Sequence, residues 1–276
     1  LTGQTDQFTS SLYDTYDTYR EPALGKRRIK HEDLQPLIDA AGTKPGFEVR
    51  TVGRSIEGRP LRLISLGTGG TDVFLWSQMH GNEPTATQAI FDILNLMDSP
   101  DFQREKGEIL KSVRLHFLPM LNPDGAAVFK RRNTLGIDIN RDARRLATPE
   151  GRILKALRDS LEPTFGFNLH DQGARNTVGG AGDPVAIALL APAADSARSY
   201  GPVRDRARQL AAALATALES ELPGRTAKYD DTFNPRAFGD LIQQWGTSTV
   251  LIESGSLPDD PQKQDLRGVN VMLLMT

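Results

Sequence analysis

The sequence predicts an α/β fold, in which helices pack on a central β-sheet. After Gly46, segments typical of strands alternate with segments typical of helices, and this alternation is the pattern of layered α/β proteins. The length of 276 residues suits one large α/β unit or two smaller domains. Apolar residues form 38% of the chain and charged residues 25%, which is typical of globular proteins and argues against extensive disorder.

The first half of the chain supplies the first part of this alternation. Residues 1–45 are polar and form an N-terminal segment, with one short helix predicted over His31–Ala41. Three strands are predicted next, over 47–52, 61–66 and 73–79, and the last of these is apolar enough to be buried. A helical run over 85–97 and a strand over 113–119 follow.

The second half continues the alternation. Pro149 and Glu150 stand where a helix begins, and apolar residues then recur at helical spacing until Pro163 ends the run. Further elements are a strand over 165–169, an apolar run after the glycines of 179–182, a helix over 203–222, a strand over 249–252 and an incomplete helix over 269–275. The polar, aromatic stretch 229–239 is predicted to be a surface loop, where functional residues often lie.

Composition excludes several classes of function. The chain has 33 Lys and Arg against 35 Asp and Glu, a net charge of −2, so no broad basic surface is available for nucleic acid. The longest apolar stretch is much shorter than the roughly 20 residues of a membrane-spanning helix. Cysteine is absent, which excludes disulfides, thiolate metal sites and thiol nucleophiles. Any zinc site must therefore use carboxylates and the four histidines.

Two of these histidines lie where a metal site can form. His80 and Glu83 follow the predicted strand 73–79, and His170 follows the strand 165–169. Side chains at the carboxyl ends of such strands face the crevice where α/β sheets bind ligands. Two histidines and one glutamate make a zinc site with an open position, as in hydrolytic enzymes. Taken alone, the pair His80 and Glu83 fits an ordinary turn with a solvated glutamate better than a metal site.

The other two histidines are poorer candidates for the metal, and one carboxylate is a candidate base. His31 lies in a charged run and is expected to be solvated, while His116 alternates with apolar residues and is expected to be structural within a strand. Glu253 ends the predicted strand 249–252 and is the candidate general base, although a structural carboxylate would fit the local pattern equally well.

Several ordered motifs make the sequence resemble the zinc carboxypeptidase family, in its bacterial, regulatory-type branch. They are Val-Gly-Arg-Ser-Ile-Glu-Gly-Arg-Pro-Leu at 52–61, His-Gly-Asn-Glu at 80–83, Leu-Asn-Pro-Asp-Gly at 121–125 and Arg-Arg-Asn-Thr-Leu-Gly-Ile-Asp-Ile-Asn-Arg at 131–141, with His170 and Glu253 following in order. The resemblance implies a single catalytic domain over residues 46–276, with a mixed, mostly parallel central sheet flanked by helices.

The resemblance also implies roles for individual residues. It assigns one zinc ion to His80, Glu83 and His170, and the role of general base and acid to Glu253. The expected reaction is hydrolysis of the C-terminal peptide bond of a peptide with a free terminal carboxylate. A further set completes the implied site: Arg131 at the scissile carbonyl, Asn140 and Arg141 on the terminal carboxylate, and Asp138 on the second nitrogen of His80. A basic carboxylate pocket within an acidic remainder is expected from these assignments.

Three positions depart from the family pattern. His170 is followed by Asp171, an extra acid near the metal, and Arg141 by Asp142. No tyrosine stands at the separation from Glu253 expected for the family's substrate-capping tyrosine. Tyr229 is the nearest candidate, and an ordinary loop aromatic is the alternative interpretation of this residue.

Side-chain specificity, the reaction and the location stay open at this point. Asp240 would favour a terminal Lys or Arg, whereas Leu241 or Ile242 at the same place would favour apolar termini, and a cell-wall peptide is a further alternative. Deacylation of N-acyl amino acids and a silent binding protein on the same fold are the alternative functions. Because the chain begins without methionine and resembles this family, we expect a secreted or periplasmic protein.

Overall fold

In the computed structural model, a sheet of eight strands runs through the described residues, which are 11–12, 14–179 and 182–276. The strands are β1 (Phe47–Arg54), β2 (Pro60–Leu66), β3 (Thr71–Ser77), β4 (Val113–Leu118), β5 (Phe165–Asp171), β6 (Ile187–Leu190), β7 (Thr226–Lys228) and β8 (Ser248–Ser254). Their order across the sheet is β1-β2-β4-β3-β5-β8-β6-β7.

The centre of the sheet is parallel and its margins are mixed. Strands β4, β3, β5 and β8 run parallel as neighbours, so their carboxyl ends meet at one edge. Strands β1 and β2, β2 and β4, and β8 and β6 pair antiparallel, while β6 and β7 are parallel. In register, His170 of β5 lies directly opposite Glu253 of β8. The topology thus brings these two side chains to the same edge.

Helices cover both faces of the sheet. They are α1 (His31–Ala41), α2 (Thr85–Asp98), α3 (Gln103–Ser112), α4 (Pro123–Ala127), α5 (Pro149–Leu161), α6 (Pro202–Glu221), α7 (Phe238–Gln244) and α8 (Gln264–Met275). Strand β3 shows why both faces need cover. Leu75 packs into one hydrophobic cluster, while Phe74 and Trp76 pack into the other. A strand buried on both faces reads as a continuous apolar run, as residues 73–76 do. The α/β fold with a mixed, mostly parallel sheet is confirmed.

The N-terminal segment packs against this body. Leu12, Tyr19, Leu24 and Ile29 are buried in the larger of the two clusters. Arg267 of α8 is fully buried and forms an ion pair with Asp92 of α2. Its guanidinium also donates to the carbonyl oxygens of Glu21 and Leu24, at 3.0 and 2.8 Å. The segment is therefore held by both apolar and polar contacts.

Several local expectations differ from the structure. Helix α3, which is almost entirely polar, and strand β7, which has only three residues, are not predicted by the sequence. The expected loop 229–239 is wrong at its end, because Phe238 and Gly239 begin the buried helix α7. His31 is half-buried and its Nε2 lies 3.0 Å from the carbonyl oxygen of Pro60, so it is not a freely solvated residue.

The remaining observations agree with the sequence. His116 lies within β4, with its Nδ1 2.8 Å from the hydroxyl of Ser65 and its Nε2 2.7 Å from Asp72. No helix among the described residues is both long enough and apolar enough to cross a membrane.

Candidate active site

Three side chains converge at the carboxyl edge of the central strands. His80 and Glu83 lie in the turn between β3 and α2, and His170 lies in β5. The two Nδ1 atoms of the histidines are 3.1 Å apart, and the Glu83 carboxylate lies 2.9 Å from His80 and 2.8 Å from His170. All three residues are buried. Each offers one ligand atom, and these atoms lie within 4.8 Å of one another.

This arrangement fits a zinc ion. Ligands bound at 2.0–2.1 Å with tetrahedral angles lie about 3.3 Å apart, close to the separations of these three atoms. Burial alone would raise the pKa of Glu83, but hydrogen bonds from His170 and His80 hold it well below its usual range. The carboxylate is therefore ionised and able to bind a cation. One nitrogen of each histidine faces the same point, which is the donor set of a catalytic zinc site.

The orientation of the His80 ring is fixed by Asp138, which lies on the side away from Glu83. Its Nε2 lies 3.0 Å from Asp138 Oδ1, while its Nδ1 faces Glu83. Arg131 donates from Nε to the other oxygen of Asp138, at 3.0 Å, and from Nη1 to Glu83, at 3.2 Å. A carboxylate on the outer nitrogen of a metal-binding histidine fixes its tautomer and ring direction. Asp138 thus occupies the place that the resemblance implies.

Close backbone contact explains the glycines of two motifs. A Cβ at Gly81 would lie 2.1 Å from the carbonyl carbon of Gly125, so the turn after β3 and the first turn of α4 pack directly on each other. The side chain of Asn122 accepts from the backbone N–H of Gly125 at 2.9 Å and caps α4. Asp124 then accepts from Ser55, at 2.7 Å, and from the backbone of Glu57. The three motifs at 52–61, 80–83 and 121–125 therefore form one interlocked support.

Glu253 faces the same pocket from the neighbouring strand. It lies at the end of β8 beside His170, and its side chain lines the cavity of about 630 Å³ that holds the three ligands. Burial raises the pKa of Glu253 to about 7. A carboxyl group with a pKa near the working pH is suited to both accept and donate a proton.

Arg131, Asn140 and Arg141 line the cavity on another side. Asn140 and Arg141 belong to the 3-10 turn Ile139–Arg141, which Asp138 caps by accepting from the backbone N–H of Asn140. The side-chain oxygen of Asn140 accepts from the N–H of Phe238 at 2.9 Å, which places helix α7 against this turn. The guanidinium of Arg141 donates to the carbonyl of Asn140 and is otherwise exposed.

Two further predicted residues also line the cavity. Tyr229 directly follows β7 and is anchored by its N–H, which donates to the carbonyl of Leu189 at 2.9 Å. Burial, and then the charge of Glu253, raises the pKa of Tyr229. Asp240 lies in the first turn of α7, and burial raises its pKa to about 6. Leu241 and Ile242, in contrast, are buried in the smaller hydrophobic cluster.

The cavity carries both signs of charge rather than being basic throughout. Its described lining includes three arginines and five carboxylates: Arg27, Arg131, Arg141, Glu83, Asp171, Asp230, Asp240 and Glu253. Three arginines against five carboxylates give this lining a net formal charge of −2, equal to that of the whole chain, so the expectation of a basic pocket in an acidic remainder is wrong.

Sequence reasoning missed two residues here. Arg27 reaches the cavity from the N-terminal segment, and Lys263 lies buried behind Asp171 at the start of α8. Neither belongs to a motif, and only the packing of distant segments brings them near the metal ligands.

Comparison with known proteins identifies the family. The family model described as zinc carboxypeptidase matches residues 35–172, which is half of the chain and includes all three metal ligands. The chain belongs to the zinc carboxypeptidase family. The matched region ends two residues after His170, so Glu253 is placed by the sheet register rather than by this match.

Individual relatives of this zinc carboxypeptidase agree with the assignment. A probable carboxypeptidase 2 from Trichophyton verrucosum is 31% identical over 185 residues, covering 67% of this chain and 34% of the relative. The chain therefore spans about a third of the length of that curated relative. Among solved structures, carboxypeptidase A from Helicoverpa armigera has a TM-score of 0.71 at 13% identity, covering 97% of this chain and 77% of the other. A metallo-carboxypeptidase from Burkholderia cenocepacia has a TM-score of 0.70 at 18% identity, covering 88% and 67%. At these identities the structural likeness shows the fold alone.

Proposed function

We propose that the protein is a zinc-dependent metallocarboxypeptidase that hydrolyses the C-terminal bond of peptides. One observation carries the proposal. The ligand set of His80, Glu83 and His170 shares a single cavity with Glu253 and with Arg131. These groups supply a metal site, a proton acceptor and a fixed cation, which together are sufficient for amide hydrolysis.

Each residue has a distinct task in this proposal. Zinc, when bound, supplies a Lewis acid that polarises the scissile carbonyl and makes water a better nucleophile near neutral pH. Glu253 accepts a proton from the attacking water and later gives one to the leaving amine. Arg131, held by Asp138 and Glu83, places its guanidinium beside the developing negative oxygen.

The carboxylate-binding side explains why the cut would be terminal. Arg141 offers a guanidinium fork, which can bind a carboxylate through two parallel hydrogen bonds. Asn140 adds a side-chain amide, and its oxygen is already used by Phe238, so its amino group is the part suited to a carboxylate. A group that requires a free carboxylate selects the last residue of a chain and not an internal one.

The position of Asp240 favours basic terminal residues. Its carboxylate lines the cavity, whereas the competing apolar residues Leu241 and Ile242 are buried in the hydrophobic cluster. A half-buried carboxylate in the pocket is complementary in charge to a terminal Lys or Arg side chain. Tyr229, on the adjoining segment, is the candidate that would close over a bound substrate.

A peptidase assay with three substrate classes tests the proposal. Peptides with a blocked amino end and a free C-terminus should lose one residue, their C-terminal amides should be resistant, and N-acyl amino acids should be poor substrates. A chelator should abolish activity, and added Zn²⁺ should restore it.

Two substitutions test whether the activity depends on this site. Glu253→Gln should reduce kcat by at least about 100-fold, within the range of removing a general acid–base catalyst. Glu150→Gln is the matched control, because Glu150 is also a buried glutamate but lies in α5, outside the cavity. Cleavage of acyl amino acids alone would favour a deacylase, and no cleavage by zinc-loaded protein would favour a silent binding protein.

A further inference from the structure

A buried pair of opposite charges lies directly behind the metal ligands. The side chains of Asp171 and Lys263 are 2% and 7% exposed, and Asp171 Oδ2 lies 3.5 Å from the ammonium nitrogen of Lys263. The same oxygen accepts from the hydroxyl of Thr85 at 2.8 Å, and Arg27 lies 3.6 Å from it. Four separate parts of the chain therefore meet at one carboxylate.

This cluster is connected to the ligands on the β5 side. Asp171 directly follows His170, and its backbone N–H donates to Glu83 Oε2 at 3.3 Å. Thr85 lies two residues after Glu83, at the start of α2. The Asp171 carboxylate thus ties the end of β5 to the turn that carries Glu83. Any movement of Asp171 would move one metal ligand through the chain and a second through a hydrogen bond.

Lys263 extends the connection to the strand that carries Glu253. Its ammonium group donates to the carbonyl oxygen of Ser254 at 2.8 Å and to that of Gln172 at 3.2 Å. Ser254 follows Glu253 in β8, and Gln172 follows Asp171 after β5. The N–H of Gln172 also donates to the carbonyl of Ser254 at 2.9 Å. The lysine therefore joins the carboxyl ends of the two neighbouring strands that carry His170 and Glu253.

The cost of burying these charges indicates a role beyond general stability. Removing an ammonium group from water is expensive, and the loss is offset only when its donors are well paired. Burial lowers the pKa of Lys263, which reflects this cost. Apolar residues of similar volume would often stabilise a protein core as well or better. What an apolar pair cannot do is hold two strand-end carbonyls and a carboxylate in one fixed arrangement.

We propose that Lys263 and Asp171 are positioning residues that hold Glu83, His170 and Glu253 in the geometry needed for zinc binding and catalysis. The proposal rests on the zinc site described above but not on which bond the enzyme cleaves. Neither residue needs to contact substrate, and each acts through the strand ends and the turn that carry the ligands.

Lys263→Met tests this role with measurements that do not depend on activity. The dissociation constant for Zn²⁺, from competition with a chromophoric chelator, should rise about 10- to 100-fold, as when partners of metal ligands are removed. The visible absorption of the Co²⁺-substituted protein should also change, because it reports coordination geometry. In peptide assays kcat should fall about tenfold or more, while KM should change less, since Asn140 and Arg141 are untouched.

Lys106→Met is the matched control. Lys106 is also a buried lysine whose ammonium group donates to backbone carbonyls, those of Leu96 and Ser99, but it joins α3 to the end of α2. The Lys106→Met substitution should lower the thermal unfolding temperature of the protein, but it should leave the affinity for Zn²⁺ and the Co²⁺ spectrum unchanged. Lys263→Arg should recover part of the affinity that Lys263→Met loses, because it restores a cation and several donors.

The outcomes distinguish a positioning role of Lys263 and Asp171 from a contribution to stability alone, and they do so whether or not the proposed reaction is correct. If Lys263→Met fails to fold, Asp171→Asn provides the same test, because it keeps the side-chain volume and removes the charge. Wild-type affinity for Zn²⁺ in a folded Lys263→Met or Asp171→Asn variant would overturn the proposal, as would equal losses in Lys106→Met. A wild-type protein that binds Zn²⁺ tightly but cleaves no peptide would contradict the proposed function. The Zn²⁺ affinities of the variants would still show whether Lys263 and Asp171 position the metal ligands.

Discussion

Protonation of Asp240 should switch off the preference for basic terminal residues. Burial raises the pKa of Asp240 to about 6, whereas a terminal Lys or Arg side chain stays charged throughout the working range. Asp240 is then about 99% ionised at pH 8 and about 10% ionised at pH 5. Because kcat/KM follows the ionisation of the free enzyme, its ratio between peptides ending in Lys and in Leu should fall about tenfold from pH 8 to pH 5.

The ratio is the useful quantity because it removes effects common to both peptides. Protonation of Glu253, or loss of zinc in acid, lowers both values of kcat/KM and cancels. Asp240→Asn should lower the Lys-to-Leu ratio at pH 8 by about 10- to 150-fold, corresponding to the roughly 1.5–3 kcal/mol of a hydrogen bond to a charged group. The ratio should then no longer depend on pH.

Asp230→Asn is the control for this measurement. Asp230 lines the same cavity and, like Asp240, accepts from a nearby backbone N–H, but Asp230 is exposed whereas Asp240 is half-buried. This variant should keep both the preference and its pH dependence. A wild-type ratio that is constant between pH 5 and 8, or an Asp240→Asn variant that keeps the preference, would refute the assignment.

Three further substitutions test other parts of the structure. Asp138→Asn should weaken Zn²⁺ binding about 10- to 100-fold in chelator competition, because the carboxylate that orients His80 is lost; unchanged affinity would contradict that role. Arg141→Lys should raise KM about tenfold for peptides with a free carboxylate, since the charge remains but the fork is lost; an unchanged KM would place the carboxylate elsewhere. Arg267→Leu should lower the free energy of unfolding by about 3–5 kcal/mol in urea, because Asp92 is left as an unpaired buried charge. Replacing both partners by leucine should cost less than Arg267→Leu alone, and a small effect of the single change would argue against the buried pair.

Sequence patterns could bring the three candidate metal ligands together because each lies at, or soon after, the end of a strand that the sequence itself predicts. The apolar run 73–76 indicates a buried strand, and parallel strands bring their carboxyl ends to one edge, so His80 and His170 could be placed together before their distance was known. Helix α3 was missed for the opposite reason. Its sequence, Gln-Arg-Glu-Lys-Gly-Glu-Ile-Leu-Lys-Ser, is almost entirely polar, and Ile109 and Leu110 are its only large apolar residues. Its helical state depends on packing against the sheet more than on pattern.

Specificity was harder to predict because it depends on where one short helix begins. A shift of one residue in α7 turns its side chains by about 100°, so Asp240, Leu241 and Ile242 could each have faced the cavity. The start of α7 is set by contacts from elsewhere in the chain. Asn140 accepts from the N–H of Phe238, and Phe238 itself is fully buried. Neither contact can be read from the local sequence.

The N-terminal segment shows why polar composition is a poor guide to a residue's place in the fold. Residues 1–45 were separated from the catalytic domain because they are polar, yet the described part contributes Leu24 to the core and Arg27 to the cavity. Its polar groups are used inward as well: the carbonyls of Glu21 and Leu24 accept from buried Arg267. A charged residue in a helix core requires such acceptors. Here they come from the 3-10 turn Pro22–Leu24 and from Glu21, which caps it. The backbone carbonyls of this segment and the buried charge of α8 therefore stabilise the same packing arrangement.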